Sequence, residues 1–337
     1  MFDNVVCRDR VVPDMGESPL ESAVGAVDPE TVEAFKLIGN EIRLAILLVL
    51  WEAYDRPDAA DNAVSFTRLF EQFEYGDRGN FRYHLRQLEG EYVRRTSDDG
   101  YELRHTGLKL VQTVVGGAGV TDTELEPTEL DRPCERCGAP TAVCYEDGIV
   151  FHVCTDCEGQ MSVPEFPDGY LNSVALHPAG VIDRAPEDLF AAAEIAAYHQ
   201  LRTMFQGLCG TCSGPIDAQL ELCPEHDPDG KCERCGRTDV VLAVFQCRVC
   251  KDSHAAAPSV LCAFHPAVIA FYYEHGVATR WHAEGFENLS DVGEHDPGYT
   301  QEIISDDPPR VAVAITLAGD ELRLTFDESV TVINVSR

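Results

Sequence analysis

Cysteine is the residue type whose spacing in this chain most clearly indicates chemistry. Thirteen of the fourteen cysteines lie between Cys134 and Cys262, most of them in C-x-x-C pairs. Residues 1–20 contain no apolar core of signal-peptide length, so we expect a cytoplasmic protein. In that reducing compartment, C-x-x-C pairs bind zinc more often than they form disulfides. We therefore expect two or three structural Zn²⁺ ions.

The first cysteine group has the spacing of a zinc ribbon. Its members are Cys134, Cys137, Cys154 and Cys157. Two knuckles present four thiolates tetrahedrally, and the residues between them predict a hairpin. Four thiolates leave no open coordination position, so the site would be structural. We expect the extra Cys144 in the core of the first strand and His152 on the surface.

The second cysteine block allows more than one pairing. Its candidate ligands are Cys209, Cys212, Cys223, His226, Cys232, Cys235, Cys247 and Cys250, with Cys262 and His265 as possible additions. We favour pairing in chain order, which gives one Cys₃His site and one Cys₄ site. The likeness of "VFQCRVC" to "VFHVCTDC" supports a ribbon over 232–250. An interleaved pairing would instead give a cross-brace, as in a RING finger.

Arginines concentrate between Asp77 and Arg95, although the whole chain has a net charge of −32. A helix capped by Asp77 and running to about Glu89 would have two different faces. The apolar face would carry Phe81, Leu85 and Leu88. The other face would carry Arg78, Arg82 and Arg86. One interpretation is a surface that approaches a polyanion; the other is an exposed stripe paired with acids such as Glu89 and Glu91.

The elements around this helix favour the first interpretation. Residues 29–116 predict three helices, a turn, the arginine helix, a hairpin at Asp99-Gly100 and a final helix, which is the order of a winged helix-turn-helix. "NEIRLAILLVLWEA" resembles the opening of ArsR-type winged-helix transcriptional regulators, and "FRYHLRQLEG" resembles their recognition helix. "DGYELRHTGLKLV" resembles the wing strand and the next helix of the version common in halophilic archaea. "LEGEYV" is one residue shorter than the usual turn into the wing.

The resemblance implies a sequence-specific regulator that binds double-stranded DNA, most simply as a homodimer that reads two half-sites. The implied DNA-contacting residues are Arg78, Asn80, Arg82, Tyr83, Arg86, Arg94 and Arg95. His84 would pack or cap within the domain. The metal-sensing cysteines of some family members are absent, because "SFTRLFEQF" contains neither Cys nor His.

The chain as a whole is expected to be an α+β multidomain protein. The predicted regions are a flexible leader (1–27), the winged helix (28–117), a linker (118–132), a zinc ribbon (133–160), an irregular segment with a helix (161–208), the second zinc block (209–276) and a C-terminal region with a three-stranded β meander (277–337). The helix, Ala185–Gln206, or the flanks of the winged helix could supply a dimer interface.

Composition limits the function further. The chain has 26 Lys and Arg residues, only four of them Lys, against 58 Asp and Glu residues spread along its length. This pattern is typical of proteins adapted to molar salt, and it excludes a general attraction to nucleic acid or membrane. Cysteine-dominated sites and the lack of a nucleotide-binding loop argue against an enzyme. The alternative function is a protein-interaction adaptor that uses the zinc block, with the winged helix as a docking module.

Overall fold

The protein is described here from a computed structural model covering residues 29–56, 62–73, 76–117, 123–162, 166–226, 231–277 and 298–337. The chain divides into two units, Met1–Val115 and Gly116–Arg337. The predicted leader (1–27) and Tyr75 of the turn before the arginine helix lie outside the described residues. The described residues form a mixed α/β chain with several small antiparallel sheets.

The first unit contains helices and one small sheet. The helices are α1 (Pro29–Ile38), α2 (Glu41–Glu52), α3 (Phe66–Glu71), α4 (Arg78–Leu88) and α5 (His105–Val115). The strands β1 (Val64–Ser65), β2 (Val93–Arg95) and β3 (Gly100–Leu103) pair in the antiparallel order β1-β3-β2. Asn40, Ser65 and Asp77 cap α2, α3 and α4 with side-chain oxygens that accept backbone N–H bonds. The predicted order of elements from 29 to 116 is present.

The second unit begins with an antiparallel sheet in the order β4-β5-β6-β7. Its strands are β4 (Leu125–Pro133), β5 (Pro140–Glu146), β6 (Ile149–Cys154) and β7 (Tyr170–Ala175). The predicted hairpin between the first two knuckles is β5–β6. Two expectations were wrong here, because β4 occupies most of the predicted linker and β7 lies in the segment predicted to be irregular. Neither strand alternates apolar and polar residues strongly, and both acquire their structure by pairing with the central hairpin.

Helix α6 (Pro186–Phe205) connects two cores of this unit. Near its start, Leu189, Phe190 and Ala193 pack against the sheet formed by β4 to β7. Leu201 and Met204, near its end, belong to a second and larger core. Because this apolar face is buried within the chain, it is not available for the dimer interface that we considered for the helix.

The larger core joins the second cysteine block to the C-terminal strands. Its elements are β8 (Ile216–Leu222), β9 (Val241–Cys247), β10 (Ser253–Ala256), α7 (Pro258–Cys262), α8 (Pro266–Glu274), β11 (Gly298–Asp306), β12 (Pro309–Leu317), β13 (Asp320–Phe326) and β14 (Val332–Ser336). Strands β8 to β10 form one sheet and β11 to β14 another. Phe245, Phe271 and Phe326 are all buried in this core, so the two predicted regions pack as one.

The C-terminal sheet has four strands, not the three that we expected. Strands β12, β13 and β14 are the predicted meander, and β11 pairs with β12 from Gly298 to Asp306. Strand β11 was missed because most of its residues are polar and exposed, as is common for an edge strand. None of the helices in the described ranges is both long and apolar enough to cross a bilayer.

Candidate metal centres and the arginine helix

Among the described residues, three groups of four side chains are positioned to hold a metal ion. Site A is Cys134, Cys137, Cys154 and Cys157. Site B is Cys209, Cys212, Cys247 and Cys250. Site C is Cys223, His226, Cys232 and Cys235. Within each site, all ligand atoms lie within 4.8 Å of one another.

The distances between ligand atoms fit tetrahedral zinc. With Zn–S bonds of about 2.3 Å, tetrahedral geometry separates two thiolate sulfurs by about 3.8 Å. The Sγ–Sγ distances are 3.8 Å for Cys134–Cys157 and 3.5 Å for Cys137–Cys154 in site A. In site B they are 3.6 Å for Cys209–Cys250 and 3.4 Å for Cys212–Cys247. Both arrangements are compatible with a structural zinc ion.

Site C replaces one thiolate with an imidazole. The Sγ atoms of Cys223 and Cys232 are 3.9 Å apart, and His226 Nδ1 lies 3.6 Å from Cys235 Sγ. With Nδ1 facing the cysteines, His226 Nε2–H donates to the Thr238 carbonyl at 3.3 Å. Such a bond fixes the ring orientation and the tautomer of a histidine that binds a metal.

The pairing that we favoured for the second block was wrong. Residues 209–226 do not form one site, and 232–250 do not form another; the cross-brace is not formed either. Instead the sites are nested, with site B enclosing site C in the sequence. The antiparallel hairpin β8–β9 explains this arrangement, because Ile216 pairs with Cys247 at its open end and Leu222 with Val241 at its closed end. The open end gathers the ligands of site B and the connection between the strands supplies those of site C.

Sites A and B are built alike. In each, a knuckle precedes the first strand of a hairpin, and the last residue of the second strand, Cys154 or Cys247, begins the second knuckle. The likeness between "VFHVCTDC" and "VFQCRVC" reflects this shared position. The repeated "CERCG" does not, because Cys134 belongs to site A and Cys232 to site C.

Backbone N–H groups prepare one thiol in each of these two sites for a metal. Burial opposes ionisation of Cys154, but N–H groups of its own knuckle, including that of Cys157, donate to its sulfur and lower the pKa of Cys154 to about 6. The N–H of Cys250 acts in the same way on Cys247 and lowers the pKa of that thiol to about 6. Thiolate is the form that binds metals, so these donors favour coordination.

The remaining cysteine and histidine candidates lie outside the three sites. Cys262 is completely buried in the larger core, and burial raises its pKa to about 12. His265 caps α8 by accepting a hydrogen bond from the Ala267 N–H at 3.2 Å. Cys144 lies in β5, as we expected, but it is only partly buried there. Cys7 lies outside the described residues.

A cluster of polar side chains lies where α6 crosses the β4–β7 sheet, and it includes His152, which is half-buried and not fully exposed as we expected. The His152 ring is 4.5 Å from the Phe190 ring, and burial lowers its pKa to about 4. The Arg132 guanidinium lies over the Phe190 ring, 4.7 Å from its centroid. Glu194 is 8% exposed, with its Oε1 atom 3.8 Å from Arg132 Nη1. The sequence only weakly indicates this cluster, because Glu194 lies in an alanine-rich helix with an amphipathic pattern.

Helix α4 has the two faces predicted from its sequence. Phe81, Leu85 and Leu88 are buried in the core of the first unit. Every predicted DNA-contacting residue is exposed, namely Arg78, Asn80, Arg82, Tyr83, Arg86, Arg94 and Arg95. His84 is buried, as we expected for a packing residue, and burial lowers its pKa.

Two phenylalanines of α3 support the arginines of α4. The Arg82 guanidinium lies 4.7 Å from the Phe66 ring centroid, and the Arg78 guanidinium lies 5.1 Å from that of Phe70. Both rings pack edge-on against Phe81. Cation–π contacts of this length restrict a guanidinium without neutralising its charge. We did not predict this role from the sequence, although the spacing of Phe66 and Phe70 places both on one face of a helix.

The arginines of α4 and those of the β2–β3 hairpin differ in their ion pairs. In the part of the chain that the structure describes, Arg78, Arg82 and Arg86 form no ion pair, and the alternative pairing with Glu89 or Glu91 is not observed. Within the hairpin, Arg94 Nε is 2.6 Å from Glu102, and Arg95 lies 3.1 Å from Asp99. Between these two elements of the described structure, the positive charge without an ion pair therefore lies on α4.

The region that contains the metal centres matches a protein family. A family described as "Domain of unknown function (DUF7351)" matches residues 131–332, a range that includes every ligand of sites A, B and C. The chain belongs to this family. The DUF7351 region starts within β4 and ends at the first residue of β14. A second family, described as "Domain of unknown function (DUF7347)", matches residues 31–114, which cover most of the first unit.

Other comparisons add little to this. No curated protein matches the chain. Among solved structures, it has a distant similarity to the crystal structure of the Rio2 kinase–ADP/Mg²⁺–phosphoaspartate complex from Chaetomium thermophilum. The identity is 13%, the match covers 85% of this chain and 74% of that chain, and the TM-score is 0.27. A TM-score this low supports no conclusion about fold or activity.

Proposed function

We propose that this member of the DUF7351 family is a sequence-specific DNA-binding transcriptional regulator. Its first unit would be a winged helix-turn-helix of the ArsR type, with α4 as the recognition helix and β2–β3 as the wing. The observation that carries the proposal is the exposed arginine face of α4, which forms no ion pair with the described residues, in a chain of net charge −32. Positive charge that is left without acidic partners in so acidic a protein is best explained by a polyanionic ligand.

Three properties of α4 support its use in a major groove. Asp77 caps the helix, so its first turn is well formed, and recognition helices commonly contact base edges with their N-terminal residues. Arg78 and Arg82 are held by aromatic rings and so lose less conformational freedom on binding. The opposite face is buried, which fixes the direction of the arginines. Arg78, Arg82 and Arg86 would contact guanines or phosphates, and Asn80 an adenine.

The second unit would hold three structural zinc ions in sites A, B and C. Each site has four protein ligands and therefore no open position for a substrate. This closed coordination supports a regulator and not a metalloenzyme. In this proposal, zinc stabilises small modules for effector sensing or protein contacts, and DNA recognition belongs to the first unit.

Recovery of fragmented host genomic DNA by the purified protein at high salt tests the proposal. We would compare wild type with the double variant Arg82→Ala/Arg86→Ala. The matched control is Arg184→Ala/Arg310→Ala, which removes the same charge from exposed positions in the second unit. We expect wild type and the control to recover the same few promoter fragments and the α4 variant to recover none.

The dependence of affinity on salt adds a second measurement. Each lost phosphate contact should reduce the slope of log K against log[salt] by about 1, whereas a lost base contact should relax sequence preference. Absence of enrichment by folded, zinc-loaded wild type would refute DNA recognition. Capture of a specific protein by residues 134–337 under those conditions would then favour the adaptor function.

A further inference from the structure

Site C lies at a contact between the two ribbon-like halves of the second unit. Residues 158–162 directly follow the last ligand of site A, and residues 231–238 contain the second knuckle of site C. The Ser162 N–H donates to the Gly236 carbonyl at 3.0 Å, and the Thr238 N–H donates to the Gln160 carbonyl at 3.2 Å. Between them, Met161 and Arg237 form an antiparallel β-bridge. We call this contact the A–C bridge.

Side chains reinforce the A–C bridge. Lys231 Nζ donates to the Glu158 carbonyl at 3.3 Å and lies 3.2 Å from the Glu158 carboxylate. Asp239 interacts electrostatically with Arg237, with Arg136 in the first knuckle of site A, and with His226 of site C. The segment from site A is itself fixed to the first sheet, since the Gln160 N–H donates to the Tyr170 carbonyl at 2.6 Å. Both sides of the bridge lie outside strands, but the site A side is anchored directly to β7.

The three sites differ in what holds their ligands before a metal binds. In sites A and B, Cys154 and Cys247 are the last residues of strands, paired with Thr141 and Ile216 across hairpins. The ligands of site C all lie in the connection between β8 and β9. Ligands outside strands lose more conformational freedom when a metal binds, and this ordering reduces the net affinity of a site.

We propose that site C is an exchangeable zinc site and that its occupancy controls the A–C bridge. Zinc in site C holds residues 231–238 in the conformation that pairs with residues 158–162. Loss of this zinc releases the bridge, while sites A and B keep their metal and hairpins. The contact between the two ribbon-like halves then opens as zinc becomes scarce, while helix α6 continues to join their cores. The inference rests on the zinc binding in the proposed function but not on DNA recognition.

Hydrogen exchange and native mass spectrometry of the full-length, zinc-loaded protein test this. Wild type and the control His177→Ala, at an exposed histidine, should each carry three zinc ions. His226→Ala should carry two. In that variant the Ser162 and Thr238 amides should exchange at least about tenfold faster, since their opening no longer requires zinc release. Amides of the β5–β6 and β8–β9 hairpins should change by less than about twofold.

A chelator titration of wild type answers the same question without a substitution that could impair folding. Removal of the first zinc equivalent should accelerate exchange of the Ser162 and Thr238 amides before those of either hairpin. The inference is overturned if that first loss exposes the β5–β6 or β8–β9 amides, or if the bridge amides stay protected with site C empty. Wild type that carries no zinc at all would overturn the inference together with the zinc part of the proposed function. Three bound ions with an unresponsive bridge would overturn the inference alone.

Discussion

Glu194 should make the second unit less stable as the pH rises. Its side chain is 9% exposed, and burial raises its pKa from 4.5 to about 7, although Arg132 acts in the opposite direction. The folded state therefore binds this proton more tightly than the unfolded state does. The contribution to stability is complete below about pH 4.5 and is lost as the pH rises through 7.

The size of the effect follows from these two values. The pKa in the folded protein exceeds the ordinary value by about 2.5, and since each pKa unit corresponds to about 1.4 kcal/mol, the full loss amounts to about 3 to 4 kcal/mol. Glu194→Gln keeps the shape of the side chain and removes its titration. Relative to wild type, we expect the variant to gain about 3 kcal/mol in free energy of unfolding between pH 4.5 and pH 8.

Urea unfolding at several pH values, at constant salt and zinc, measures this difference. Metal ligands titrate in both proteins, so their contribution cancels in the comparison. Glu187→Gln, at an exposed position in the same helix, is the control and should change the difference by less than about 1 kcal/mol. A constant difference between Glu194→Gln and wild type across the pH range would refute the reasoning about burial. A variant that is less stable at pH 8 would show that the Arg132 ion pair outweighs burial.

Three further predictions concern the arginine helix, the metal sites and the acidic surface. Phe66→Leu removes the ring beneath Arg82 but keeps an apolar side chain, and it should weaken DNA binding roughly two- to fivefold in a titration, as loss of about 0.5–1 kcal/mol implies; unchanged affinity would contradict a role for the ring. Cys212→Ser should lower the zinc content by one ion, whereas Cys262→Ser should leave it unchanged, as measured by native mass spectrometry; equal losses would contradict the assignment of site B. Transfer from molar salt to about 0.1 M should lower the melting temperature, because the screening length rises from about 3 to 10 Å and the excess acidic groups repel one another. An unchanged melting temperature would contradict adaptation to salt.

Features governed by local spacing could be predicted from the sequence alone. The cap at Asp77 and the two faces of α4 follow from residues three or four apart, which share a helix face regardless of the rest of the chain. The knuckles follow in the same way, since C-x-x-C brings two sulfurs together within one turn. The Cys134–Cys157 group was also correct, because only a short hairpin separates its two pairs.

The tertiary structure decided which distant pairs meet. Sites B and C depend on the register of β8 against β9, and the spacing between neighbouring cysteines does not predict this register. Strands β4, β7 and β11 acquire their structure by pairing with a neighbouring strand and carry little apolar pattern of their own. The environment of Glu194 depends on the crossing of α6 over the first sheet, because burial is set by elements that are far apart in the chain. The sequence thus determined the local chemistry of this protein, whereas long-range packing determined how its ligands are shared and which charges are buried.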